Sequence, residues 1–256
     1  DGGTFRVLGG RPSDLRVRES IGVQFQDAEL MPNLRPVELL ALFRSFYARG
    51  ITPREALARV QLDPPRRVLV RELSGGQRKR LLIALAIVND PELVFLDEPT
   101  TGLDPAVRRE VWAIIGALRE QGRAVVLTTH YLEEAERISD RVAILDAGRI
   151  AAMDTPAALI GGSGIAGRIV FSLADQLPDL PARVAGRFPE ASVQGTTARV
   201  ASARLEEDLH HVFEIAHEAG STVRDLAVHA PTLEDVYLAR TGRAWPGGEP
   251  MAEEGS

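Results

Sequence analysis

A chain of 256 residues with 45% apolar content has room for one or two domains, each with a real core. Its net charge of −6 and pI near 5.5 argue against general nucleic-acid binding, which shows a basic excess, and the lack of cysteine excludes disulfides and thiolate metal sites. The longest unbroken apolar run, Leu81–Val88, is far short of the ~20 residues of a membrane helix, and Asp1-Gly2-Gly3-Thr4 shows no secretion signal, so action at a membrane requires another subunit to span it.

In chain order, Asp1-Gly2-Gly3 is turn chemistry and Thr4 to Leu8 is predicted as a short strand. Ile21 to Gln26 is a second strand, and a helix is expected from Pro36 to about Ala48, closed by Gly50. Thr52-Pro53-Arg54-Glu55 reads as a capping box with proline at the first helical position. Ser74-Gly75-Gly76-Gln77 is a second capping box, opening a helix to about Val88. Leu93 to Leu96 is an apolar run ending in two acids, as expected of a buried parallel strand reaching a sheet edge. Asp104-Pro105 starts a helix whose apolar stripe is Val107, Val111, Ile114, Ile115 and Leu118, stopped by Gly122. Ala124 to Leu127 is a further buried strand, followed by Thr128-Thr129-His130, a helix at 132–138 and a strand at 141–145. This alternation predicts a mostly parallel α/β sheet.

The composition changes at Gly161-Gly162-Ser163-Gly164, read as a linker. Beyond it the pattern gives a strand at 168–173, a helix at 176–187, strands near 191–194 and 197–201, a helix at 205–219, a strand at 222–228 and a helix at 232–241. The order βαββαβ points to a small α+β domain of split-βαβ type. His210, His211 and His217 fall on its second helix and receive no role. The expected division is 1–158, 159–242 and a disordered tail at 243–256 rich in Gly, Pro and Glu.

Leu93-Val94-Phe95-Leu96-Asp97-Glu98 resembles the second nucleotide-binding motif (Walker B) of phosphate-loop ATPases. Strand alternation would point Asp97 and Glu98 to different partners, Asp97 to Mg²⁺ and Glu98 to the attacking water; alone, the motif is equally well a strand ending in solvated acids. Some twenty residues earlier, Leu73-Ser74-Gly75-Gly76-Gln77 resembles the signature sequence of ATP-binding cassette (ABC) ATPases, with bare N–H groups at a helix N-terminus suited to a γ-phosphate. Gln26, ending Ile21–Gln26, resembles the glutamine loop that contacts Mg²⁺ and senses the membrane partner. Gly102-Leu103-Asp104 resembles the dimer-contact loop and serves equally as a helix cap. His130 resembles the switch histidine that meets the γ-phosphate. All five occur in family order over roughly residues 1–155.

The resemblance is thus to the ATP-binding subunit of an ABC transporter, and it implies an α/β phosphate-loop NTPase fold with a helical subdomain at about 27–90. Two cassettes, most simply identical, would sandwich two Mg²⁺-ATP. Gln26, Asp97, Glu98 and His130 of one would face Ser74, Gly75, Gly76 and Gln77 of the other. Hydrolysis would drive a separate transmembrane permease from the cytoplasmic face of the membrane. The ending Thr232-Leu233-Glu234-Asp235-Val236-Tyr237-Leu238 with Thr241-Gly242-Arg243 resembles drug and antibiotic exporters of the daunorubicin-resistance type, in which an extension after the cassette helps assembly; a domain that only braces the dimer is the alternative.

One element departs from the family pattern. The phosphate loop G-x-x-x-x-G-K-[ST] does not occur; the nearest text, Gly162-Ser163-Gly164-Ile165-Ala166-Gly167-Arg168-Ile169, has Arg for Lys, Ile for the hydroxyl, and the wrong place in the order. The expectation is a chain that starts just past that motif and is inactive as written. Two further readings stand beside the transporter: a soluble ABC ATPase acting on DNA or ribosomes, disfavoured by the acidic pI, and a non-catalytic interaction module.

Overall fold

The computed structural model describes residues 3–26, 28–65, 67–189 and 191–241, and the chain divides into two units after His130. The first unit contains α1 (Leu15–Glu19), β1 (Ile21–Gln24), α2 (Pro36–Arg44), α3 (Pro53–Arg59), a 3-10 turn at Val70–Glu72, α4 (Gly75–Ile87), β2 (Leu93–Asp97), α5 (Pro105–Glu120) and β3 (Ala124–Thr128). The three strands form one parallel sheet in the order β1-β2-β3, with Gln24 beside Leu96 and Asp97 beside Thr128.

The predicted strand at Thr4–Leu8 does not form. Leu8 and Gly9 both take positive φ (49° and 76°), so the chain reverses and Val7 pairs back on Gly10. The helix expected to reach Ala48 ends at Arg44, where the following amides of Phe46 and Tyr47 bond three residues back, to Phe43 and Arg44. The Ser45 hydroxyl also donates to the Leu42 carbonyl, competing with continued α-helix.

Helix α4 is apolar all round from Leu81 and is buried accordingly. It lies hard against β1: a Cβ added to Gly22 would stand 1.8 Å from the Ala86 carbonyl oxygen. On α5 the predicted stripe is buried at Val111, Ile114, Ile115 and Leu118, with Trp112 added.

Asp90, in the turn after α4, receives Arg59 of α3 at 3.1 Å and Arg123, the residue before β3. Burial raises its pKa, but hydrogen bonds and charge attraction from Arg123, then Arg59, outweigh it and hold the carboxyl below its ordinary value. A depressed folded-state pKa contributes stability above the unfolded pKa that is lost as pH falls through the folded one. Because the Asp90 side chain is 47% exposed, solvent screening limits the effect. Asp90→Asn should cost about 0.5–1 kcal/mol at pH 7, and the gap from the parent should close as pH falls below the carboxylate range. Urea titrations at several pH values check this; a gap independent of pH would assign the cost to packing.

The second unit contains α6 (Leu132–Ile138), β4 (Val142–Asp146), β5 (Arg149–Asp154), α7 (Pro156–Gly161), β6 (Gly167–Leu173), α8 (Leu180–Arg187), β7 (Ser192–Gln194), β8 (Thr197–Ser202), α9 (Leu205–Glu218), β9 (Val223–His229) and α10 (Leu233–Thr241). Strand β4 pairs antiparallel with β5, a strand that was not predicted. Their turn runs through Ala147 and Gly148, both at positive φ, which suits a tight hairpin. Helix α7 was also not predicted: Thr155 caps it by accepting the Ala158 N–H, and Pro156 occupies its first position.

From β6 to β9 the chain follows the predicted βαββαβ order, folded as an antiparallel sheet β7-β8-β6-β9. Ile169 and Phe171 of β6 pack with Val184 of α8 and Val212 and Ile215 of α9 to form its core. Helix α8 starts at Leu180 rather than 176 because Pro178 disfavours helix at the residue before it.

The division after His130 differs from the expected one at 158/159, which falls inside α7. The reason is a second apolar cluster that joins Ala135 of α6, Val142 and Ile144 of β4 and Leu159 of α7 to Leu233, Val236 and Tyr237 of α10. The predicted tail at 243–256, with Gly242 and Arg243 of the C-terminal motif, lies outside the described residues. Among the described residues no helix is long and apolar enough to cross a membrane.

Candidate active site

The carboxyl ends of β2 and β3 carry Asp97, Glu98 and His130, with Gln26 two residues past β1, at the edge where open α/β sheets place their ligands. Asp97 is the last residue of β2, and its carboxylate accepts a hydrogen bond from the Thr128 hydroxyl of β3. Glu98 has left the strand. Its φ of 50° puts it in the left-handed region, a conformation that costs a non-glycine residue about 1–3 kcal/mol. This turn, and not the strand alternation expected from sequence, separates the two carboxylates.

Glu98 is held from three sides. Its N–H donates to the Thr128 carbonyl at 3.2 Å and meets the Thr128 hydroxyl at 3.1 Å. Its Oε2 accepts the Thr101 hydroxyl at 2.7 Å and lies 2.6 Å from His130 Nδ1. A carboxylate only accepts, so the proton of this bond sits on Nδ1. The Glu98 side chain is 18% exposed and that of His130 38%, which leaves this acid–imidazole pair at the surface of the site.

Gln26 lies two residues beyond β1, is exposed, and meets the site through its main-chain carbonyl, 3.5 Å from Lys79 Nζ. Gly102, Leu103 and Asp104 close the turn that follows Glu98. Gly102 takes a φ of 76°, and Asp104 Oδ1 accepts the N–H groups of Ala106 and Val107 at 3.0 Å, so the helix-cap reading of this loop holds.

At the start of α4, Ser74 and Gln77 form the predicted capping box: Ser74 Oγ accepts the Gln77 N–H at 3.2 Å, and Gln77 Oε1 accepts the Ser74 N–H at 2.9 Å. The two glycines between them differ. A Cβ on Gly76 would stand 2.5 Å from Val107 Cγ1 of α5, whereas a Cβ on Gly75 meets nothing within 4 Å. Packing among the described residues explains Gly76 and leaves Gly75 unexplained.

Sequence reading missed four residues here. Thr128 could have been found as the residue paired with Asp97, and Thr101 as the hydroxyl in the turn after Glu98. Gln24 is buried on β1 and donates to the main chain of both strands, and Lys79 reaches the same place from α4. No pattern in the sequence singles these two out. Among the described residues, no three His, Asp or Glu side chains gather as a protein-only metal cage would require.

Comparison with known proteins agrees with the geometry. Residues 3–101 match the ABC transporter family model. The chain is 38% identical over 234 residues to the daunorubicin resistance ATP-binding protein DrrA3 of Streptomyces coeruleorubidus, covering 88% of this chain and 73% of that protein. It is 34% identical over 237 residues to the Nod factor export ATP-binding protein I of Bradyrhizobium sp. (strain SNU001), covering 91% and 75%. Among solved structures, the dimeric post-hydrolysis state of the ATP-binding cassette MJ0796 bound to ADP and Pi superposes with a TM-score of 0.51 at 27% identity, over 58% of this chain and 71% of that one. With a parallel sheet whose carboxyl edge carries Asp97 and Glu98, and with relatives of this identity and coverage, the chain belongs to the ATP-binding proteins of ABC transporters.

Proposed function

We propose that the protein is the ATP-hydrolysing subunit of an exporter, working as a cassette dimer on a separate membrane permease at its cytoplasmic face. The observation that carries this reading is the Glu98 carboxylate, held by Thr101 and His130 beside the Asp97–Thr128 pair at the end of a parallel sheet. In this reading Glu98 orients and polarises the attacking water, and His130 fixes the Glu98 carboxylate and, when both its ring nitrogens carry protons, donates its second N–H to a γ-phosphate oxygen. The export direction is supported by relatives named for daunorubicin resistance and Nod factor export.

The site suits Mg²⁺. This ion keeps several waters and takes one or two carboxylates together with substrate phosphates, so a single strand-end Asp97 with the exposed Gln26 nearby is a sufficient protein share. Bound there, Mg²⁺ neutralises charge on the phosphates. Asp97 is kept ready by its hydrogen bond from Thr128, which fixes the orientation of the carboxylate.

Gly75 supports the dimeric arrangement. Among the described residues no atom lies within 4 Å of a Cβ at Gly75, whereas a phosphate from a partner's nucleotide, approaching the N-terminus of α4, would require a glycine there. Gly75→Asp separates these readings, because an acid in the first turn favours the helix while repelling a phosphate. The expected result on the full-length protein is an unchanged unfolding temperature with Mg²⁺-ATP hydrolysis reduced roughly 100-fold. Hydrolysis that survives the substitution would remove the signature helix from the active site.

A further inference from the structure

Strands β1 and β2 pair as far as Gln24 and Leu96; beyond that point they no longer pair with each other, although Asp97 still pairs with Thr128 of β3. Two side chains take up the carbonyls that follow. The Gln24 amide, 2% exposed, donates to the Phe25 carbonyl at 2.7 Å and to the Asp97 carbonyl at 3.2 Å. One residue further along each segment, past both strand ends, Lys79 Nζ lies 3.5 Å from the Gln26 carbonyl and 3.4 Å from the Glu98 carbonyl. The ends of the two strands are therefore bridged twice, at consecutive peptides, first by a buried amide within the sheet and then by a cation reaching in from α4.

The second bridge bears on chemistry. Glu98 occupies a left-handed conformation that its own residue type disfavours, so the surrounding structure must hold it there. Its N–H is bound on the Thr128 side, and its carbonyl faces Lys79. An ammonium carries three donors and no acceptor, so it can serve both carbonyls at once. We propose that Lys79 is a positioning residue for ATP hydrolysis, tying the helix that begins with Ser74–Gln77 to the Gln26 loop and to the Glu98 turn, and so keeping the Glu98 carboxylate aligned with the reacting water. This rests on the hydrolytic reading above. It acts through main-chain carbonyls and touches neither nucleotide nor water.

The test is steady-state Mg²⁺-ATP hydrolysis by full-length protein carrying Lys79→Met or Lys79→Arg, with Glu98→Gln as the reference. Lys79→Met should lower kcat about tenfold, since small misplacements of a reacting group carry penalties of this order, while KM and the unfolding temperature stay unchanged. Lys79→Arg, which keeps the charge and the donors, should recover most of the loss. An unchanged kcat in Lys79→Met overturns the proposal; so does a kcat that falls together with the unfolding temperature, or an Arg variant no better than Met. If Lys79→Met does not fold, amide exchange in Lys79→Gln decides: it should speed up at Glu98 and Thr101 and stay unchanged along β3, and equal protection at Glu98 and Thr101 would refute the role. Turnover in the parent that does not depend on Glu98 would instead sink the hydrolytic reading, a separate result.

Discussion

Glu98→Gln should reduce ATP turnover by about 100-fold or more while nucleotide binding persists, because general-base assistance of this kind contributes roughly 10²–10⁴. The substitution is nearly isosteric. The amide keeps one oxygen able to accept from Thr101 and His130, whose bonds at 2.7 and 2.6 Å now fix the carboxylate, so the turn at positive φ need not rearrange. What disappears is the negative charge that polarises water. The cassette dimer should then accumulate with bound Mg²⁺-ATP, visible as a nucleotide-dependent doubling of mass by light scattering. Retained turnover would show that the nucleophilic water is activated elsewhere.

Gly22→Ala should destabilise the first unit by about 3 kcal/mol, a large value for the addition of one methyl group. The added carbon would stand 1.8 Å from the Ala86 carbonyl oxygen, 2.8 Å from its carbon and 3.1 Å from Pro91 Cγ. Two of these three atoms are main chain in a helix whose residues from Leu81 to Ile87 are all buried, so α4 has nowhere to go. Gly116→Ala on α5 provides the control. There a Cβ meets nothing within 4 Å, and the gain in helix propensity should stabilise by up to about 1 kcal/mol. Urea midpoints of opposite sign would establish that β1 and α4 approach too closely for a side chain; a neutral Gly22→Ala would mean that they can separate.

Much of this was legible because the signals were local. The Ser74–Gln77 box, the Asp104-Pro105 start and the apolar run into Asp97 each follow from a few adjacent residues, and each element appears where its signal lies. The βαββαβ order was legible for the same reason, since strands and helices there alternate with clear punctuation. What sequence could not give depended on pairing across the fold or on backbone conformation. The run Thr4–Leu8 has strand composition, but a reversal at Leu8 and Gly9 overrides it. Strand β5 was hidden because its hairpin turn uses Ala147 where Asn or Asp is the usual signal. The bridging of the strand ends by Gln24 and Lys79 joins residues more than fifty positions apart in sequence, and nothing in either neighbourhood announces it.

The cluster that unites α10 with α6, β4 and α7 alters how the βαββαβ part should be viewed. Its first and last strands, β6 and β9, are antiparallel neighbours, with Arg168 opposite His229, so the points where the chain enters and leaves it lie side by side. The pieces just outside it, α7 and α10, belong to one shared core. In topological terms it is a guest inserted within a host, and not an appendage added to the end. Both its ends meet at one edge of the β6–β9 pair, so the chain leaves the host and returns to it at one place.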